Sequence, residues 1–130
     1  MEDEVSEANS LNAVNAGLPY QNPASKIGKV FVIDHHFALD QIDIIENCDI
    51  LSNLVVPDTV LKHLFKKNVQ TFHGLRNTLE QSRRQMYYHY NENFSDTFVD
   101  DRDERLKNKG LDYKLKFKVS KVFEFYFKHF

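Results

Sequence analysis

Hydrophobic positions along the chain fall into short runs with two different periods. Val30-Phe31-Val32-Ile33 is apolar throughout and ends at Asp34. A run without alternation suits a strand buried on both faces, and it predicts a strand at the centre of a parallel sheet. An amphipathic segment follows from Phe37 to Asn47. A second apolar run, Leu54-Val55-Val56, is stopped by Pro57, which has no N–H to give a ladder. Thr59 is placed to cap a helix running through Lys67, with Val60, Leu61 and Leu64 inward. Another helix is predicted over Thr71 to Arg84, then a third strand, rich in aromatics, over Met86 to Tyr90. The charged stretch from Asp100 to Gly110 reads as a loop. The last segment, Asp112 to Phe130, reads as a helix with Leu115, Val119, Val122, Phe123, Tyr126 and Phe130 on one face and Lys114, Lys118, Lys121 and Lys128 opposite. Phe117, Phe125 and Phe127 lie outside that stripe, which predicts that the helix is covered on more than one side. Strands alternating with helices make an α/β pattern.

Composition sets the frame for these elements. Residues 1–26 are polar and acid-led and read as a flexible tail, leaving 27–130 for one domain. Hydrophobic content of 42% with 13% aromatics supplies a core and excludes wholesale disorder. The formal net charge of −2 argues against nucleic-acid binding by bulk electrostatics. A local patch remains: Lys62, Lys66, Lys67, Arg76, Arg83 and Arg84 are interleaved with His73, Tyr87 and Tyr88, which could bind phosphates and stack bases. Solvated helix faces are the plainer reading of the same residues. The single Cys48 excludes an internal disulfide and a cysteine-rich zinc site. The acidic N-terminus is not a signal peptide, and no run approaches about 18 apolar residues, so a soluble, intracellular protein without a membrane span is expected.

Asp34 is the most informative polar residue. In open parallel sheets ligands sit beyond the carboxyl ends of the strands, and a carboxylate there is held where sites form. A turn or helix-cap aspartate is the alternative. The motif Asp34-His35-His36 resembles the strand-end tripeptide of DHH-type phosphoesterases, which bind two metals through carboxylates and histidines. That family needs further aspartate motifs upstream, where this chain has only its polar tail.

A longer resemblance runs from about Tyr20 to Phe130. The strand ending in Asp34-His35-His36 is followed by Gln41-Ile42-Asp43, then Val56-Pro57-Asp58-Thr59-Val60-Leu61, Leu75-Arg76, Asn91-Glu92, Thr97-Phe98-Val99 and Phe125-Tyr126-Phe127-Lys128-His129-Phe130. In order and spacing these pieces are similar to the PIN domain at the front of the RNA exosome's catalytic RNase II-type subunit. The resemblance implies a three-layer α/β/α domain with a central parallel sheet, C-terminally truncated. It implies an endoribonuclease cutting single-stranded RNA with Mn²⁺ or Mg²⁺ held by about four carboxylates, found in nucleus and cytoplasm, with the exosome core subunits as partners.

Carried over residue by residue, Asp34 falls on the first carboxylate. His63 stands at the second, where imidazole is a poor ligand for Mg²⁺ but acceptable to Mn²⁺ or Zn²⁺; a polar-face histidine is the alternative. The third falls on Asp112, in the first turn of the last helix, or on Asp101 by local spelling. An N-cap and a solvated charge run are the plain readings of those two. The fourth belongs to a strand beyond the final helix and has no match. Asp34 and Asp112 are therefore the expected metal ligands, with Asp101 and His63 as further catalytic candidates and activity weak or lost. A non-catalytic module that docks on the exosome or on RNA is the second reading. Without the flanking strands, Phe117, Phe125 and Phe127 are expected to lack cover and the chain to self-associate or take a partner.

Overall fold

The computed structural model describes residues 30–48, 53–81 and 86–129. The acidic tail expected over 1–26, and Arg83, Arg84 and Phe130, lie outside the described residues. The order of elements is β1 (Phe31–Val32), α1 (His35–Asp40), α2 (Ile42–Asn47), β2 (Leu54–Pro57), α3 (Asp58–Lys67), α4 (Val69–Glu80), β3 (Met86–His89), a short 3-10 turn (Glu104–Leu106) and α5 (Leu111–His129).

The three strands form a parallel sheet in the order β1-β2-β3, with Phe31 opposite Leu54, and Leu54 through Pro57 opposite Met86 through His89. Alternation along β2 divides the core. Leu54 and Val56, with Met86 and Tyr88, pack under Ala38, Ile45, Val60, Leu61, Leu64, Phe72 and Leu75 of α1 to α4. Val55, between them, faces Val122 and Tyr126 of α5. Helices thus cover both faces, and the fold is a three-layer α/β/α domain, as the resemblance implies.

The centre of the sheet is a correction. Val30 to Ile33 is expected at the middle, but among the described residues β2 is central and β1 is an edge strand, parallel to it. All four residues of β2 are buried, whereas Phe31 is 54% exposed. A continuous apolar run reports water excluded from both sides; it does not say which strand lies between two others.

Helix boundaries moved where capping groups decide them. The segment from Phe37 to Asn47 is two helices, broken at Gln41, whose N–H closes α1 on the Phe37 carbonyl at 2.8 Å. Asn68 caps α4 through its side chain, accepting from Thr71 N–H, so that helix starts at Val69 and ends at Glu80. Thr59 does not cap α3. That helix begins directly after Pro57, and Thr59 lies inside its first turn, 3% exposed. The orphan N–H of Thr59 donates instead to Asn91 Oδ1 at 3.1 Å, and Asn91 Nδ2 donates back to Thr59 Oγ1 at 2.9 Å. Along α5, Leu115, Val119, Val122 and Tyr126 are buried as expected, but Phe123 is 54% exposed and stacks on exposed Phe127. The buried stripe is one residue narrower than the apolar one.

Beyond β3 the chain folds back over a buried polar network. Asp58, 1% exposed, accepts from the Tyr88 hydroxyl and pairs with Lys62 at 3.0 Å. Lys62 also reaches Glu92 at 3.0 Å, and Thr59 Oγ1 donates to the same carboxylate at 3.2 Å. Burial pulls the Lys62 ammonium down, but its bonds to Asp58 and Glu92 outweigh that and leave it above its ordinary value. His89 is the other buried node. Its Nδ1 lies 2.9 Å from the Tyr126 hydroxyl and its Nε2 3.3 Å from Thr97 Oγ1, which itself donates to the Asn91 carbonyl at 3.0 Å. With the Thr97 proton so used, the consistent arrangement is a neutral ring carrying its proton on Nε2 and accepting from Tyr126.

Burial lowers His89 to about 4. A depressed histidine favours the native state at pH values above the unfolded value near 6.5, and that contribution is lost as pH falls from about 6.5 to about 4. The full shift is worth roughly 3 kcal/mol. Urea unfolding followed by circular dichroism is therefore expected to show stability falling over this interval, with most of the fall absent in His89→Gln; an unchanged slope in that variant would remove His89 as the cause.

Candidate functional site

The site forms where the carboxyl end of β1 meets the N-terminal turn of α5. Ile33 still bonds to β2 through its N–H on the Val55 carbonyl, at 2.9 Å. Asp34 follows in an extended conformation and starts α1, its Oδ1 accepting the Phe37 N–H at 2.8 Å. This is an N-cap, the structural role weighed for that residue. A helix beginning here places His35 and His36 in its first turn, with His35 packed inward at 3% exposure and His36 half in solvent.

Asp112 meets both of them. Its Oδ1 lies 2.7 Å from His35 Nε2 and 2.5 Å from His36 Nε2, while its Oδ2 lies 3.4 Å from the Lys116 ammonium. The hydrogen bond from His35 first, with those from His36 and Lys116, holds the Asp112 carboxyl at about 2 against the opposing effect of desolvation. The carboxylate also sits in the first turn of a 19-residue helix, where negative charge is favoured.

The other two candidates stand differently. His63 on α3 is half-buried and packs its ring edge-on to His35, with centroids 5.2 Å apart. Burial first, then His35 and Lys67, lower its basicity. It borders the cluster without joining the group of converging donors, which is His35, His36 and Asp112. Asp101 is exposed and pairs with Lys118 at 2.8 Å. Of the two spellings for the third carboxylate, Asp112 is thus the one beside the β1–α1 turn. His35 and His36 carry the site yet were singled out only as part of a tripeptide. The signal that could have found them is adjacency: two histidines directly after a strand-end aspartate must project around one helix start.

Beside Asp34 opens a cavity of about 610 Å³ with largely apolar walls, among them Phe31, Val32, Phe37, Val119 and Phe123; Asp34 and Lys116 are its charged groups. The proposed basic patch is thinner than its sequence. Lys62 is held by Asp58 and Glu92, Arg76 pairs with Glu80, and Tyr88 is buried. Lys66 and Lys67 are exposed at the end of α3, and His73 is exposed on α4.

The sequence profile of the PIN domain matches residues 31–122, most of the chain, so the chain belongs to the PIN domain family. No curated protein matches it. The family match favours the longer of the two resemblances over the DHH phosphoesterase. PIN domains generally use divalent metal ions. A cage of oxygens for Mg²⁺ is not what the converging donors make: they are two imidazoles and one carboxylate, and Asp34 does not join them.

A capping role for Asp34 has a measurable signature. Asp34→Ala is expected to lower stability by about 1 kcal/mol, because the Phe37 N–H loses its acceptor, while Asp34→Asn keeps an oxygen there and stays within a few tenths of the parent. Thermal melts compare the three; an equal loss in both variants would mean that the charge, not the cap, is what matters.

Proposed function

We propose that this PIN domain is an RNA-processing module of the exosome-subunit type that binds single-stranded RNA, with endonucleolytic cutting weak or lost. The observation that carries the reading is the state of the three carboxylate candidates. Only Asp112 stands in the cluster of converging donors, while Asp34 caps α1 and Asp101 pairs with Lys118. Support for the exosome relationship comes from the order of the sequence pieces, from Gln41-Ile42-Asp43 to Phe125-Tyr126. Work in the nucleus and cytoplasm follows from the same relationship.

Binding asks less of the chain than cutting does. Lys66 and Lys67 are exposed on the last turn of α3, and Lys67 is close enough to act electrostatically on His63 beside the His35 ring. A phosphate backbone running along this end of α3 would pass the histidine cluster, with His73 available for a base. The apolar cavity and the exposed Phe123 and Phe127 are on the α5 side, suited to protein contact rather than to phosphate. Docking on an exosome core subunit, or on a second copy, is assigned to that side.

Two assays on unstructured RNA test the reading. Fluorescence anisotropy is expected to show salt-dependent binding whose log–log slope falls by about 1.4 in the double variant Lys66→Gln, Lys67→Gln, the amount for two phosphate contacts on a single strand. Denaturing gels are expected to show no cutting above background in Mg²⁺ or Mn²⁺. Cutting that disappears in Asp112→Asn would establish an active endoribonuclease instead, and binding indifferent to salt and to both lysines would remove the RNA surface.

A further inference from the structure

We infer that His35, His36 and Asp112 form a binding site for a borderline transition-metal cation of the zinc class, in place of the Mg²⁺ or Mn²⁺ cage expected of the family. The inference rests on the PIN assignment only for the family expectation it departs from; the donors themselves are read from the geometry.

Three ligating atoms point at one another. His35 Nε2, His36 Nε2 and an Asp112 carboxylate oxygen all lie within 4.8 Å, the oxygen 2.7 and 2.5 Å from the two nitrogens. Without a cation, one oxygen must accept from both rings, which fixes the proton of each imidazole on Nε2. Among the described residues the buried Nδ1 of His35 meets no hydrogen-bond partner. The buried ring packs against those of His36 and His63, and its Nε2 carries its polar contact, to Asp112.

A cation among the three atoms takes the Nε2 lone pair of each ring, whose proton moves to Nδ1, and a lone pair of the carboxylate. Zinc binds imidazole nitrogen at about 2.0–2.1 Å and carboxylate oxygen at about 2.0–2.2 Å, so tetrahedral ligands sit roughly 3.3 Å apart. The oxygen-to-nitrogen spacings of 2.7 and 2.5 Å open to that value by less than about 1 Å each, within reach of a side-chain rotation of Asp112. Asp112 can supply it, because its side chain is 54% exposed on the first turn of α5. His36, 50% exposed, leaves the solvent side open for entry and for a water as fourth ligand. The donor set selects the ion: neutral imidazole suits zinc, cobalt and nickel, whereas Mg²⁺ demands near-octahedral oxygen and keeps its waters.

The test uses the full chain stripped with chelator, then titrated with Zn²⁺ by calorimetry and with Co²⁺ by visible absorption. One equivalent is expected to bind, with Co²⁺ giving the intense bands of a tetrahedral site. Zn²⁺ is expected to raise the melting temperature at concentrations where Mg²⁺ does nothing. His36→Ala and Asp112→Asn, both at exposed positions and checked for native circular dichroism, should each weaken Zn²⁺ by at least about tenfold. His73→Ala should bind like the parent. The inference is overturned by absence of binding, by an equal response to Mg²⁺, or by variants of His36 and Asp112 that bind like the parent. RNA binding is read separately, so failure of the metal site and failure of the proposed function are told apart.

Discussion

A helix that starts immediately after a buried strand leaves its first N–H groups facing protein rather than water, and here every residue from Asn53 to Leu61 is buried. Pro57 removes one donor from the problem, and its side chain caps nothing. The remaining groups, and the charge of Asp58, have to be satisfied from elsewhere in the chain. Asn91 accepts the Thr59 N–H, Glu92 accepts from the Thr59 hydroxyl and Tyr88 donates to Asp58, all from β3 or the residues after it. The junction of β2 and α3 is thereby locked to β3 by polar contacts as well as by the ladder. Breaking one partner would leave a buried donor or charge unmatched, which costs more than a surface bond of the same kind. The sheet, α3 and the long return to α5 consequently hold as one unit.

How much of this could be read in advance depends on how local each cause is. The apolar runs found β2 and β3 to within a residue, since hydrophobic periodicity is a local property. The partners of α5 were legible for the same reason: Leu115, Val119, Val122 and Tyr126 repeat at helical spacing and are buried. The cap of α3 was not, because its acceptor lies 32 residues downstream while Thr59 offered a plausible local substitute. Sheet order was misread because apolar character does not distinguish a central strand from an edge strand with one covered face. Phe123 was misplaced by about one helical position, which is the width by which an apolar stripe exceeds a buried one.

The site follows the same division. Asp112 could be chosen over Asp101 from its place on the face of α5. That it meets two adjacent histidines could not, since 77 residues separate it from His35. Asp34 illustrates the opposite case: a carboxylate after a strand is well placed for chemistry and equally well placed to start a helix. In this chain the helix that it starts is what aims His35 and His36. The aspartate orients the two imidazoles by shaping the backbone beneath them.

That separation along the chain also has a consequence for how the site comes into being. Protein synthesis is vectorial, so His35 and His36 leave the ribosome when α5 has not yet been made. Two imidazoles on a six-residue helix meet their carboxylate partner only when α5 lies against the sheet. The third donor arrives only with the first turn of α5, and it is held there only once Val119, Val122 and Tyr126 have docked on the sheet. The three-residue cluster is therefore a product of tertiary docking: it exists only when α5 lies on the sheet.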